Sequence, residues 1–219
     1  MREIPLFPLH TVLFPGMLLP LHIFEPRYKQ MVHRCVTGQE PFGVVLIEEG
    51  SEVGPGAKIF DIGTMAYITQ LDQQDDGRIN IATVGVDRFK IHTTTADKQA
   101  YLMGEVELYP FEQMDSPSAV SEAVRLEPAL RDYLQVIAKI GEIEILLDNI
   151  PSEPDQLAFL TAIVLQAPMP DKQGLLSIPS LPELLRQERA LLAREIEILK
   201  MITANPPQWV DGDVPFSPN

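Results

Sequence analysis

The spacing of apolar residues changes once along this chain of 219 residues, close to Pro110. Before that point, short apolar segments alternate with polar or turn residues, as is typical of β-strands. After it, apolar residues recur at three- and four-residue steps, as in amphipathic helices. The change predicts an α+β protein, with a β-rich domain over residues 1–112 and a helical domain over 113–204. The last residues, 205–219, hold few apolar groups and predict a flexible tail.

The β-rich part contains six segments with strand character. Alternation is clearest over residues 79–84 and 86–91, and Gly77 before them indicates a hairpin turn, because glycine tolerates positive φ. The other expected strands cover residues 18–24, 42–48, 64–71 and 101–108. Short strands separated by turn residues predict a small β-barrel or a sandwich.

One helix is expected within this part. It begins at Pro26, which suits the first turn because its missing N–H would have no partner there. The apolar side chains that share one face of it are Tyr28, Met31, Val32 and Cys35. This stripe favours a helix that caps an open end of the barrel.

The C-terminal part predicts three helices, over residues 128–140, 154–165 and 180–202. The last one begins with Ser180-Leu181-Pro182-Glu183, which matches a capping box. Its apolar face is broad, which favours packing against the two preceding helices over self-association as a coiled coil.

Acidic residues outnumber basic ones, 31 to 17, so the formal net charge is −14. Because phosphate backbones are bound through Lys and Arg, we expect neither nucleic acid nor an anionic membrane surface as a partner. No apolar run is long enough to span a membrane, and the first residues lack the apolar region of a secretory signal. With Cys35 as the single cysteine, the protein is expected in the cytoplasm.

Motifs that carry catalysis or bind metals are missing from the sequence. There is no glycine-rich nucleotide-binding loop and no nucleophile elbow. The four histidines are not spaced as zinc ligands, and a single cysteine cannot form a cysteine-based zinc cluster. The acidic pairs Glu48-Glu49 and Asp75-Asp76 lack the alternating oxygen ligands of a calcium loop. We therefore expect no catalytic residue, no metal and no cofactor, and a protein that is not an enzyme.

Two groups of side chains have a chemical and a structural interpretation. His22 and Glu25 lie three residues apart, as in a fragment of a metal site, but a hydrogen-bonded surface contact is commoner. Glu25 is also expected to brace the helix start together with Arg27. Cys35 could act as a nucleophile, but its place on the apolar stripe favours a core thiol.

An ordered series of segments carries a family resemblance. It begins with Ile4-Pro5-Leu6-Phe7-Pro8-Leu9 and Pro20-Leu21-His22-Ile23-Phe24-Glu25-Pro26-Arg27-Tyr28. It continues with Phe42-Gly43-Val44-Val45-Leu46-Ile47 and Gly85-Val86-Asp87-Arg88-Phe89. Together these resemble the N-terminal substrate-binding domain of Lon proteases, over residues 4–203. The resemblance implies a PUA-like β-barrel with a capping helix, followed by an α-helical bundle.

The resemblance also implies a function. Full-length Lon proteases carry an ATPase module and a protease module after this region, and the sequence stops before either. The chain is therefore similar to stand-alone Lon-domain members, which implies a non-catalytic polypeptide-binding module in the cytoplasm. Such a module captures exposed apolar segments of unfolded or tagged proteins. The alternative is an adaptor or regulatory subunit that docks on a folded partner such as a protease or an ATPase.

Capture of apolar segments requires an apolar groove or patch. The candidate peptide-binding residues are Leu13, Phe14 and Met17, around a turn in which Gly16 is expected at positive φ. Core packing is the alternative role for Phe14 and Met17. The sequence determines neither the clients nor the oligomeric state.

Overall fold

The computed structural model describes residues 1–50, 57–75, 77–97, 99–145 and 147–204. Its strands are β1 (Arg2–Leu9), β2 (Leu18–Ile23), β3 (Phe42–Glu49), β4 (Lys58–Ile59), β5 (Ile62–Gln73), β6 (Ile79–Thr95) and β7 (Met103–Leu108). Its helices are α1 (Pro26–Gly38), α2 (Pro117–Gly141), α3 (Pro154–Val164), α4 (Met169–Ser177) and α5 (Leu181–Ala204), with a 3-10 turn at Leu147–Asn149. The α+β class is confirmed, whereas the PUA-like barrel and the helical bundle stay predictions.

Five strands pair in a ring. β1 pairs with β7, β7 with β6, β6 with β5, β5 with β3, and β3 with β1, which closes the circuit. The β1–β3 pair is parallel, and the other four pairs are antiparallel. β2 pairs with residues 79–84 of β6, on the side opposite β5. β2, β6 and β5 therefore form a three-stranded sheet that extends beyond the ring.

The sequence pattern missed β1, because Pro5 and Pro8 weaken its strand signal. In the structure, residues 2–5 pair with β7 and residues 6–9 pair with β3. Each half of β1 thus has a described strand partner on one side only. A proline is tolerated there, since its missing N–H can face away from the partner. β1 therefore bridges β7 and β3 and closes the ring.

Two further predictions differ from the structure. Residues 79–84 and 86–91 belong to one continuous strand, β6, and not to two. α4 was not predicted at all, because its buried apolar residues Leu175 and Leu176 are adjacent and form no periodic stripe.

α2 begins earlier than its sequence pattern indicated. It starts at Pro117 and not at Pro128, and the Ser116 hydroxyl accepts a hydrogen bond from the Ala119 N–H at 3.1 Å. Pro128 therefore lies inside the helix, where its ring removes one backbone hydrogen bond. The helix continues through it because α2 packs along α5 over most of its length, through residues such as Leu126 and Leu130.

α5 agrees with its predicted position, but it begins differently from the predicted capping box. The Leu181 N–H bonds the Glu112 carbonyl at 3.1 Å, and the Leu184 N–H bonds the Ser180 carbonyl at 3.0 Å. The Glu183 carboxylate accepts hydrogen bonds from Arg186 and Gln187, farther along the helix.

Three hydrophobic clusters form the interior. The largest combines the four C-terminal helices with residues from the β-rich part, among them Phe14 and Ile62. A second cluster lies between α1 and the sheet, and a third draws on all five strands of the ring. Because the largest cluster includes residues from both sides of Pro110, the division at residue 112 into two domains stays a prediction. The predicted tail, 205–219, lies outside the described residues.

Arg88 of β6 connects the ring of strands to the helices through hydrogen bonds. It is 4% exposed, and its Nη1 donates to the carbonyls of Leu176 at 2.8 Å and Ile178 at 2.7 Å. Its guanidinium lies 3.6 Å from the ring centroid of Phe111. Burial lowers the pKa of Arg88 to about 10. These contacts hold the end of α4 against the sheet, a role that the sequence pattern did not reveal.

Candidate functional site

An open cleft of about 420 Å³ lies between the C-terminal end of α1 and the second half of β5. This volume is within the usual range for ligand-binding pockets. The side chains that form most of its wall are Val36, Gln39, Glu40, Tyr67, Ile68 and Leu71. We call this feature the β5 cleft.

The β5 cleft forms because β3 leaves part of its neighbour uncovered. β3 pairs with β5 only at residues 64–66. Before β3 the chain turns away, since Gln39 takes the left-handed conformation (φ 50°) and the Glu40 N–H bonds the Cys35 carbonyl at 3.0 Å. Residues 67–73 of β5 therefore have β6 as their only strand partner in the described part of the chain.

A β-bulge places two apolar side chains on the same face of β5. The register with β6 shifts between Ile68 and Gln70, so Thr69 is the extra residue, and its hydroxyl donates to the Ala82 carbonyl at 3.1 Å. Because side chains alternate across a strand, the extra residue puts Leu71, and not Gln70, on the face of Ile68. That face is directed towards α1.

Apolar surface in the β5 cleft is accessible to a ligand. Val36 is 46% exposed, Tyr67 39% and Leu71 45%. The charged group on the wall, Glu40, forms an ion pair with Arg34 at 3.3 Å. The cleft can therefore bury apolar side chains of a ligand, which is favourable by about 25 cal/mol per Å².

Cys35 lies at the base of the β5 cleft as a core thiol. Its side chain is 2% exposed, and burial raises its pKa to about 11. A thiol with this pKa is protonated near neutral pH and is a poor nucleophile. The predicted core role of Cys35 is confirmed.

The predicted peptide-binding residues lie in a turn that packs onto β6. Leu13 and Phe14 are each 1% exposed, and Met17 is half-buried against the same hydrophobic clusters. Gly16 has φ 80°, as expected, and its N–H bonds the Gly85 carbonyl at 2.9 Å. The structure thus places Leu13 and Phe14 in the core, where they offer no surface to a ligand. A peptide-binding role for these three residues stays a prediction.

His22 and Glu25 each have a different polar partner. His22 Nδ1 lies 2.6 Å from Asn80 Oδ1, whereas Glu25 pairs with Arg27 at 3.0 Å. The Arg27 guanidinium also lies 4.5 Å from the ring centroid of Tyr28. The brace at the start of α1 is confirmed. The contacts of His22 and Glu25 are hydrogen bonds and an ion pair with other residues, in line with the structural interpretation of the two side chains.

Metal ligands do not cluster in the part of the chain that the structure describes: no three His, Cys, Asp or Glu side chains lie close enough to hold an ion. Of the two acidic pairs noted in the sequence, Glu48-Glu49 has Glu48 in an ion pair with Lys58 at 2.8 Å. In the other pair, Asp76 lies outside the described residues. Over the same ranges, no helix combines the length and the hydropathy that crossing a bilayer requires.

Sequence reasoning missed the residues of the β5 cleft. Val36 lies outside the apolar stripe of α1, and Tyr67 and Leu71 were assigned to a strand without a further role. The signal available in the sequence was Val36, an apolar residue between the polar side chains of the predicted helix and outside its apolar stripe.

Comparison with known proteins identifies matches over most of the chain. The model of the ATP-dependent protease La (LON) substrate-binding domain matches residues 3–194. The Lon protease of Anaeromyxobacter dehalogenans is 25% identical over 201 residues, which cover 90% of this chain and 24% of that protein. The Lon protease of Trichlorobacter lovleyi is 28% identical over 212 residues, with coverage of 90% and 24%. The chain therefore spans about a quarter of the length of the curated relatives it matches.

Two solved structures resemble this one. The Lon N-terminal domain protein from Xanthomonas campestris is 27% identical with a TM-score of 0.63, covering 87% of this chain and 98% of that one. The N-terminal domain of a Lon protease from the Mycobacterium avium complex has a TM-score of 0.70 at 17% identity, covering 88% and 98%, and at that identity it shows the fold alone. Since the family model matches well over half of the chain, the protein belongs to the Lon substrate-binding domain family.

Proposed function

We propose that this protein is a non-catalytic recognition module that binds apolar segments of unfolded or tagged polypeptides, and that the β5 cleft is where they bind. Family membership supports a role in substrate recognition. The observation that carries the assignment to the cleft is the exposure of Val36, Tyr67 and Leu71 around an open volume of about 420 Å³.

The chemistry of the β5 cleft suits a polypeptide better than a nucleic acid. Its lining combines apolar side chains with uncharged polar groups and the carboxylate of Glu40, and none of the described residues that form it is Lys or Arg. A phosphate backbone, by contrast, is bound through Lys and Arg. The net charge of −14 also opposes polyanions. An apolar side chain of an unfolded protein, by contrast, gains free energy by entering the cleft.

Suppression of client aggregation tests this proposal. A heat-unfolding client such as citrate synthase is followed by light scattering, with and without the protein. We expect the wild type to suppress scattering. The double variant Val36→Ser/Leu71→Ser should need about tenfold more protein for the same effect, because it loses two apolar contacts of about 0.7 kcal/mol each. No suppression by the wild type would contradict the proposal.

A matched control is available on α2. Val120 and Val124 are 54% and 67% exposed, and they are distant in sequence from the residues of the cleft. The variant Val120→Ser/Val124→Ser therefore removes an amount of exposed apolar surface comparable to that removed by Val36→Ser/Leu71→Ser. We expect this control to act like the wild type. If the two double variants lose suppression of aggregation to the same extent, general surface hydrophobicity, and not the cleft, accounts for capture.

The adaptor role remains a second candidate, and the same α2 residues favour it. Val120 and Val124 lie one helical turn apart, so they form a small exposed apolar strip of the kind that docks on a folded partner. If this role holds, Val120→Ser/Val124→Ser abolishes binding to one stoichiometric folded partner in a native pull-down. Recovery of many heterogeneous clients through the β5 cleft would instead support the capture module.

A further inference from the structure

We infer that the bound polypeptide is held as an added β-strand on the open edge of β5, over residues 67–73. This inference rests on the proposed function and specifies how the client binds. It predicts main-chain hydrogen bonds between client and protein, which simple burial of apolar side chains does not require.

The open edge supplies the hydrogen-bonding groups. Residues 70–73 of β5 follow the bulge and pair in regular register with residues 79–82 of β6. On the other side of β5 these residues have no strand partner in the described part of the chain. Alternate residues there direct N–H and C=O groups away from β6, and such a row is a template for another strand.

The opposite edge of the same three-stranded sheet is less suited to strand addition. That edge is β2, which contains Pro20 near its middle and pairs with β6 at Ala82. Proline lacks the N–H that an added strand needs, and it is one of the means by which edge strands are protected from pairing. Residues 67–73 contain no proline. The sheet is thus protected at one edge and accessible at the other.

The surroundings of the edge determine the chemistry of the occupant. On the α1 side, Val36, Ile68 and Leu71 form an apolar wall, so the client side chains on that face are apolar. A second depression, of about 510 Å³, shares Gln70 and Leu71 with the β5 cleft and extends over Asp72 and onto residues 80–82 of β6. Among the described residues that line the two depressions, the charged ones are Glu40 and Asp72. The occupant is therefore an extended segment of about seven residues, apolar on one face and flanked by Lys or Arg and not by acidic residues.

Backbone methylation of a peptide distinguishes strand addition from simple apolar contact. The probe is a fluorescein-labelled peptide with three Val-Thr repeats between terminal lysines, and binding is measured by fluorescence anisotropy. In an extended strand all Val N–H groups point to one edge and all Thr N–H groups to the other. We expect N-methylation of one set to weaken binding at least about tenfold, and N-methylation of the other set to change it less than about twofold.

Amide hydrogen exchange provides the readout on the protein. Saturating probe should slow exchange of the amides in residues 67–73 and leave those of β2 unchanged. The Leu71→Ser variant should lose both probe binding and protection, whereas Val124→Ser should retain both. Circular dichroism of each variant confirms that it is folded.

The outcomes separate this inference from the proposed function. If both methylated peptides bind like the parent, or both lose binding equally, strand addition is wrong while capture by the cleft stands. If the protein suppresses client aggregation but does not bind the probe, strand addition is again wrong. If it neither suppresses aggregation nor binds any probe, the proposed function itself fails.

Discussion

Glu188 is a buried carboxyl group in α5, and its replacement by an apolar residue should stabilise the protein. The side chain is 0% exposed, and neither carboxylate oxygen has a hydrogen-bond partner among the described residues. Burial raises its pKa well above the ordinary value for glutamate. We therefore expect Glu188→Leu, which is similar in volume and fully apolar, to increase the free energy of unfolding.

The magnitude follows from the cost of burying an unsatisfied polar group. That cost is about 1–3 kcal/mol, and Glu188→Leu removes it while it adds apolar surface at a fully buried position. For a protein of this size, 1 kcal/mol changes Tm by about 2–4 °C. A gain of about 2 kcal/mol therefore corresponds to an increase in Tm of about 4–8 °C.

The gain should also depend on pH. Because the folded-state pKa of Glu188 is raised, the folded protein binds more protons than the unfolded chain above the ordinary glutamate pKa. The contribution of Glu188 to stability is thus most favourable at acid pH and is lost as pH rises through its folded-state pKa. Consequently the stability difference between Glu188→Leu and the wild type should be larger at about pH 8 than at about pH 5.

Urea unfolding followed by circular dichroism at both pH values measures this difference. Glu197 of the same helix has a side chain that is 67% exposed, so Glu197→Leu serves as the control and should stay within about 0.5 kcal/mol of the wild type. A loss of stability in Glu188→Leu, or a gain that does not depend on pH, would refute the reasoning. Either result would mean that the carboxyl group is satisfied in the folded protein.

Three further predictions concern other buried positions. Arg88→Met should lower the free energy of unfolding by about 3 kcal/mol, measured by urea unfolding, because the carbonyls of Leu176 and Ile178 lose a charged donor. Gly85→Ala should lower it by about 2 kcal/mol, because the new Cβ would lie 2.4 Å from the Phe14 carbonyl oxygen. Cys35 should react with a disulfide reagent such as DTNB only when the protein unfolds, since burial raises the pKa of its thiol to about 11.

Each of these predictions has a clear contrary result. Wild-type stability of Arg88→Met would mean that Arg88 does not hold α4 in place. Gly174 lies inside α4 with nothing within 4 Å of an added Cβ, so Gly174→Ala is the control for Gly85→Ala and should raise stability by about 0.5–1 kcal/mol. Rapid labelling of Cys35 under native conditions would contradict its place in the core.

The sequence predicted those structural elements that depend on only a few neighbouring residues. Pro26 and the stripe from Tyr28 to Cys35 predicted α1, and Gly77 predicted the β5–β6 hairpin, where it has φ 78°. These features depend on a few neighbouring residues, namely the allowed φ of glycine, the missing N–H of proline and the three- to four-residue helical repeat. The α+β class and the family membership depend on the order of such elements, and both could be read from the chain.

Features that depend on distant residues could not be predicted in this way. Whether α2 continues through Pro128 depends on its packing on α5. Whether Phe14 is exposed depends on the approach of its turn to Gly85 of β6. Because of that approach, two of the three predicted peptide-binding residues, Leu13 and Phe14, lie in the core.

The sequence by itself therefore determined the class of fold, the family, most helices and strands, and the acidic charge that disfavours polyanions. Only the tertiary structure decided where apolar surface stays open. The β5 cleft exists because β3 covers residues 64–66 and not 67–73, and because the bulge at Thr69 directs Leu71 towards α1. The physical reason is that the exposure of a side chain depends on which segments pair in space. The pattern along a strand, by contrast, shows only which side chains share a face.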